Sequence, residues 1–136
     1  MPRSAAVPAL PRLALLSLLF LFLSGCGKPA GLVEKSYFAG NNYWVAIINR
    51  PLLKDSGELP PIAREMCKDK EICLVGMWFD ARQAPNLVPP TSQQQRDQIF
   101  IYGWRDATKT ESMSWNCAVF PERDRTHECS PVSLNR

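Results

Sequence analysis

Histidine is almost missing from this sequence: His127 is the only one in 136 residues. Histidine-rich metal centres and H-E-x-x-H sites therefore have no material to work with. There is no C-x-x-C redox pair and no Gly-rich phosphate loop. No basic stripe or recognition motif points to nucleic acid, so none is expected as a partner. No apolar run reaches the about 20 residues that a membrane-spanning helix needs. A lone histidine could still pair with a thiol, and Cys117 lies ten residues from His127. That pair needs a free thiolate, and a bridged Cys117 would have none. No catalytic residue, metal or cofactor is assigned on these grounds.

The N-terminus has a recognisable order. Met1 to Arg12 carries Arg3 and Arg12 and no acid, and Leu13 to Leu23 is apolar except for Ser17. A cationic start, a short apolar run and small residues make a secretory signal. The run ends in Leu23-Ser24-Gly25-Cys26, which resembles the bacterial lipobox. The resemblance implies cleavage before Cys26 and lipidation of Cys26 itself. Several acyl chains anchor a protein stably where one gives only marginal binding. The competing reading is an ordinary signal peptide whose cleavage site happens to contain cysteine. Gly27, and not aspartate, follows the cysteine, which in that sorting pattern leans toward the outer membrane. The expected localisation is thus export, with a lipid anchor facing the periplasm.

Residues 1–25 are read as signal peptide, 26–42 as lipidated N-terminus and flexible tether, and 43–136 as one domain. Cleavage leaves 111 residues with 14 basic and 13 acidic groups, a balance of +1. Of five cysteines, Cys26 goes to the anchor and four remain. An even number in a small exported domain reads as two disulfides. Neighbour pairing, Cys67–Cys73 and Cys117–Cys129, is favoured among the three pairings. A four-cysteine zinc site is the alternative, but C-x5-C and C-x11-C are not the usual C-x2-C knuckles.

Along the chain, 27–42 holds Gly27, Pro29, Gly31, Gly40, Asn41 and Asn42 without clear period. As a tether it would reach about 50 Å. Tyr43 to Asn49 and Ile72 to Asp80 are apolar on both faces, as interior strands are. Leu59, Ile62, Ala63 and Met66 fall on one helical face, with Pro60 and Pro61 in the first turn. Ser92 with Gln95 reads as a capping box. Ile99 to Trp104 could continue that short helix, but Gly103 and the aromatic content favour a strand. Arg105 to Ser112 is expected as a loop, Met113 to Phe120 as a half-buried strand, and Glu122 to Arg136 as a polar tail held mainly by Cys129. The expected fold is α+β: a small, mostly antiparallel four-stranded sheet with one main helix packed on it.

Candidate functional residues are few. Asp80, Asp97, Asp106 and Asp124 could pair for acid–base work, but solvated surface acids are the favoured reading. Tyr43, Trp44, Trp78, Phe79, Tyr102, Trp104 and Trp115 fall on expected strands. They are either core or a platform for sugars or peptides, and core is what a small domain needs. Trp104 with Arg105, beside a loop, and Asp80 at a strand end make up the candidate binding surface.

Cys67 and Cys73, Trp78-Phe79-Asp80, the Pro-rich segment, the stretch through Tyr102, and Trp115-Asn116-Cys117 together resemble a group of small secreted proteobacterial proteins of uncharacterised function. The likeness spans about residues 43–120. It supports the α+β reading and the disulfides, and it implies no activity or ligand.

The expected function is a non-enzymatic envelope lipoprotein, a tethered binding or assembly module. Its partner would be another envelope protein or, less favoured, a glycan. A second reading is a small inhibitor of a wall-lytic enzyme, with 84–91 or 105–112 as the plug. An envelope enzyme is a third reading, and would need Asp80 or Asp106 beside another titratable group in a polar cleft.

Overall fold

Asn41 and Asn42 both take left-handed backbone conformations, with φ of 49° and 61°. Two such residues in a row form the tight turn whose twist matches a β-hairpin, and asparagine tolerates that conformation well. The turn joins β1 (Val33–Gly40) to β2 (Tyr43–Ile48) in antiparallel register. The computed structural model describes residues 31–126 and 128–130. The sheet has five strands and not the expected four, because Val33–Gly40 is paired strand and not tether. The pattern of β1 is broken by register shifts and by its exposure as an edge, which hid it from a periodicity reading.

From β2 the chain crosses over through α1 (Leu59–Cys67) to β3 (Ile72–Trp78), which lies parallel to β2. A parallel pair requires such a crossover. The segment 79–91 and the short helix α2 (Ser92–Asp97) follow, then β4 (Phe100–Arg105) and β5 (Thr110–Trp115). Both are antiparallel additions, giving the order β1-β2-β3-β4-β5. Ile99 to Trp104 is thus mainly strand. Arg105 to Ser112 is not a free loop: Asp106–Thr108 form one turn, Lys109 is left-handed, and β5 begins at Thr110. The last strand is correspondingly earlier than the expected 113–120. The capping box exists one residue earlier than read, with Thr91 and Gln94 exchanging both bonds.

Both sheet faces are covered, which explains why β2 and β3 are apolar on both sides. On one face Leu59, Ile62 and Ala63 of α1 pack on Ala46, Ile48, Val75 and Met77. Each fully buried Leu, Ile, Val or Met side chain there contributes about 1.5–3 kcal/mol. On the other face Ala84 and Val88 close over Val45, Ile47 and Trp78. Three bonds pin that cover: Tyr37 hydroxyl to Pro85 carbonyl (3.0 Å), Val88 amide to Ala39 carbonyl (3.3 Å) and Trp78 Nε1 to Gln94 carbonyl (2.8 Å).

Both expected disulfides are present, Cys67–Cys73 and Cys117–Cys129. The first ties the end of α1 to the start of β3. The second holds the tail against β5, where Trp115 and Cys129 form a bridge. The tail has further support that the sequence reading missed. Arg123 donates from Nε to the buried Ser56 hydroxyl (2.8 Å) and from Nη1 to Glu128 (3.2 Å). Its guanidinium stacks 4.2 Å from the Trp115 ring centre. Replacing Arg123 with alanine is expected to lower stability by about 2 kcal/mol, as charged hydrogen bonds and a stacked cation are lost together. Chemical denaturation of the variant beside wild type measures this.

Candidate functional site

The five strands share two ends. One end gathers the start of β1, the ends of β2, β3 and β5, and the start of β4. The other end carries the Asn41-Asn42 turn, the end of α1, the Lys68–Glu71 connection and the β4–β5 hairpin. Two concavities lie at this second end.

The larger, about 650 Å³, runs between the end of α1 and the β4–β5 hairpin, with Trp104 and Tyr102 as its wall. The smaller, about 370 Å³, lies on the other side of the Lys68–Glu71 connection, lined by Phe38, Trp44 and Ile72. Lys70 and Glu71 border both. The result is one furrow divided by a saddle. Local chemistry sets the saddle. Asp69 is left-handed (φ 61°), which turns the chain out of α1. Lys70 folds back, donating to the Met66 carbonyl (2.5 Å) at the helix C-terminus, where a cation is favoured. Its ammonium also sits 5.0 Å from the Trp44 ring centre, and Phe38 leans on Trp44 at 5.2 Å.

On the larger side, Arg64 grips Glu111 through Nε (2.6 Å) and Nη2 (3.0 Å), and Tyr102 donates its hydroxyl to the same carboxylate (2.9 Å). Arg64 holds the Glu111 carboxyl below its ordinary range. Burial, with the neighbouring Glu111 charge, pushes the Tyr102 hydroxyl up to about 12. At neutral pH the first has lost its proton and the second keeps it. Neither is poised to exchange a proton near pH 7. The triad is a fixed polar wall. Lys68, Asp69 and Glu71 form no ion pair among the described residues, so the saddle offers charges of both signs to a ligand.

The structure separates the residues that the sequence grouped. Trp104 is half-buried and lines the larger concavity. Arg105 is its neighbour on β4 and so belongs to the opposite face, paired across from Ile72 and Thr110. Asp80 lies beyond the far end of β3, bound to Arg82 at 2.6 Å. Hydrogen bonds from Arg82 draw its carboxyl down from 3.8 to about 2. A depressed carboxyl contributes stability above its unfolded value and loses it as pH falls through the folded one. Stability is therefore expected to decline as pH drops from about 4 toward 2, and Asp80→Asn should flatten that decline. Thermal melts across this range measure it.

Asp106 does line the furrow, paired with Lys109 at 2.5 Å, while Asp97 accepts from Gln93. Asp124 lies beside Cys117 and Cys129, but bridged sulfurs are no thiolate ligands, and this cluster makes no zinc site. Cys26 and His127 lie outside the described residues. Of the aromatic set, Trp78, Trp115, Tyr43 and Tyr102 are buried, and Trp44, Phe79 and Trp104 are half-buried. The core reading holds for most, and the furrow takes Trp44 and Trp104. Phe38 was missed because 27–42 was read as tether. The Gly-Asn-Asn run before Tyr43 is the signal that would have found its hairpin.

No family model matches this chain, and no curated protein or solved structure shows significant similarity to it. Among the described residues, no helix is long and apolar enough to cross a membrane.

Proposed function

We propose that this protein is an exported lipoprotein, anchored through Cys26 and facing the periplasm, whose domain binds another envelope protein through the furrow. The observation that carries the binding reading is the placing of exposed apolar side chains. Phe38 is 54 % exposed and Ile72 47 %, and both line the smaller concavity. Trp44 and Trp104 stand beside them, and charges of both signs rim them. Apolar and aromatic anchors within a polar rim are the pattern of a protein interface. A glycan would also use the tryptophans, but it has less use for the aliphatic Ile72.

Detergent-solubilised envelopes should yield a specific partner on the immobilised soluble domain. Phe38→Ser with Ile72→Ser should leave folding intact, because both side chains are exposed, and should weaken capture about 10- to 50-fold. Capture that is equal for wild type and variant, or no specific partner in repeated trials, counts against the reading.

The inhibitor reading has one observation in its favour. Leu87 is 78 % exposed, at the tip of a segment clamped on both sides by the Pro85 and Val88 bonds. A clamped loop that presents one aliphatic side chain suits insertion into a cleft, since little ordering entropy is lost. Assays of wall hydrolases with the domain added decide it; unchanged activity across the panel removes this reading.

A further inference from the structure

The described chain enters the fold at a defined place. Leu32 is buried, and its carbonyl accepts from the Asn49 amide (2.9 Å). Only the peptide from Cys26 to Leu32 separates a lipid on Cys26 from that point. Six covalent steps span at most about 20 Å, against about 50 Å for a fully extended 27–42. The fold therefore stands at the membrane, with the start of β1 nearest to it.

What surrounds that entry is suited to a bilayer surface. Beside Gly31 lies Leu52, 42 % exposed, on the Arg50–Leu52 turn. Arg50 stacks on Phe79 at 5.1 Å, which brings the 79–82 loop and its exposed Arg82 alongside. Two guanidiniums and one protruding leucine thus ring the entry point. Asp80 offsets Arg82, and Asp55 and Glu58 lie just beyond Lys54, so net charge contributes little. The short connection and the exposed Leu52 set the placement. β3, of seven residues, then sets the furrow about 20–25 Å farther out.

We infer that the Arg50–Leu52 turn and the adjoining 79–82 loop rest on the lipid surface, so that the furrow faces away from the membrane that anchors the protein. This rests on acylation of Cys26. The partner then has to be reached from the membrane-distal side: a protein of the periplasm, or one projecting from the opposite membrane.

The test uses full-length protein purified from envelopes and placed in nanodiscs of phosphatidylethanolamine and phosphatidylglycerol, with a small fraction of gadolinium-chelate lipid. Intact mass first establishes the acyl chains. Amide NMR signals of Leu52, Leu53 and Arg82 are expected to lose most of their intensity, while those of Asn42, Lys70 and Lys109 keep theirs. A long Gly/Ser insertion after Gly27 is expected to flatten that difference. Acylated protein with a uniform or reversed pattern, or with a gradient unchanged by the insertion, overturns the orientation and leaves the anchor standing. A mass without acyl chains overturns both.

Discussion

Gly76→Ala is expected to lower stability by about 3 kcal/mol, a loss out of proportion to one methyl group. Gly76 sits in the middle of β3, paired with Val45 on one side and Ile101 on the other. Above it the Gln98 amide donates to the Tyr43 hydroxyl (2.8 Å), and the ring of Trp78 lies alongside. A Cβ at this position would fall on that hydroxyl and that amide, and 2.6 Å from Trp78. Tyr43 is buried, and burial pushes its hydroxyl up to about 12, so it stays neutral and needs its partner. The added carbon must displace the pair or spread the central strands. Urea unfolding should show a lower midpoint with an unchanged slope. A loss under about 1 kcal/mol would mean that the sheet yields there more easily than its packing implies.

Reducing both disulfides is expected to cost about 5 kcal/mol, enough to unfold much of a population whose total stability is of the usual 5–15 kcal/mol. The links lie far apart in the fold, so their contributions should add. Cys67–Cys73 closes a loop of sequence separation 6, and Cys117–Cys129 one of 12. Loop-closure entropy assigns about 2.4 kcal/mol to the first and about 2.9 to the second. The variants should differ in character. Cys67→Ala with Cys73→Ala loosens the Lys68–Glu71 saddle and should impair binding at temperatures where the domain stays folded. Cys117→Ala with Cys129→Ala frees the tail, uncovers Trp115 and should leave the furrow competent. Denaturation midpoints together with capture by the partner separate these two effects.

Much of the fold was legible because local signals agreed with one another. The face of Leu59, Ile62 and Ala63 is the buried face of α1. The apolar runs of β2 and β3 are interior strands, and both cysteine pairs join near neighbours. What failed did so for identifiable reasons. The strand β1 is an edge strand with two register irregularities, so its alternation is broken where a periodicity reading looks for it. The hairpin 105–112 turns through Lys109 in a left-handed conformation, which carries no glycine or asparagine signal. Asn116 closes the strand before Phe120 because its side chain bonds to the carbonyls of Arg96 and Gln98 and to the Ala118 amide, a long-range arrangement.

The site was less legible than the fold. Trp104, the aromatic residue least expected to be purely core, is half-buried and lines the furrow. Its proposed companions were not neighbours: strand alternation puts Arg105 on the other face, and Asp80 belongs to the other end of the sheet. The furrow draws side chains from all five strands, the end of α1 and the Lys68–Glu71 connection, which only the assembled sheet brings together. Phe38 and Trp44 meet Lys70 through pairing that no local pattern encodes.

The central claim is that the furrow end of an anchored domain meets a protein partner in the envelope. Photo-crosslinking in intact cells tests it most directly, with the reactive residue placed singly at Lys68, Ile72, Gln83 or Arg125. The account predicts a discrete adduct with the same protein from Lys68 and Ile72, and none from Gln83 or Arg125. Adducts from Gln83 or Arg125 alone, or equal yields from all four positions, would contradict it.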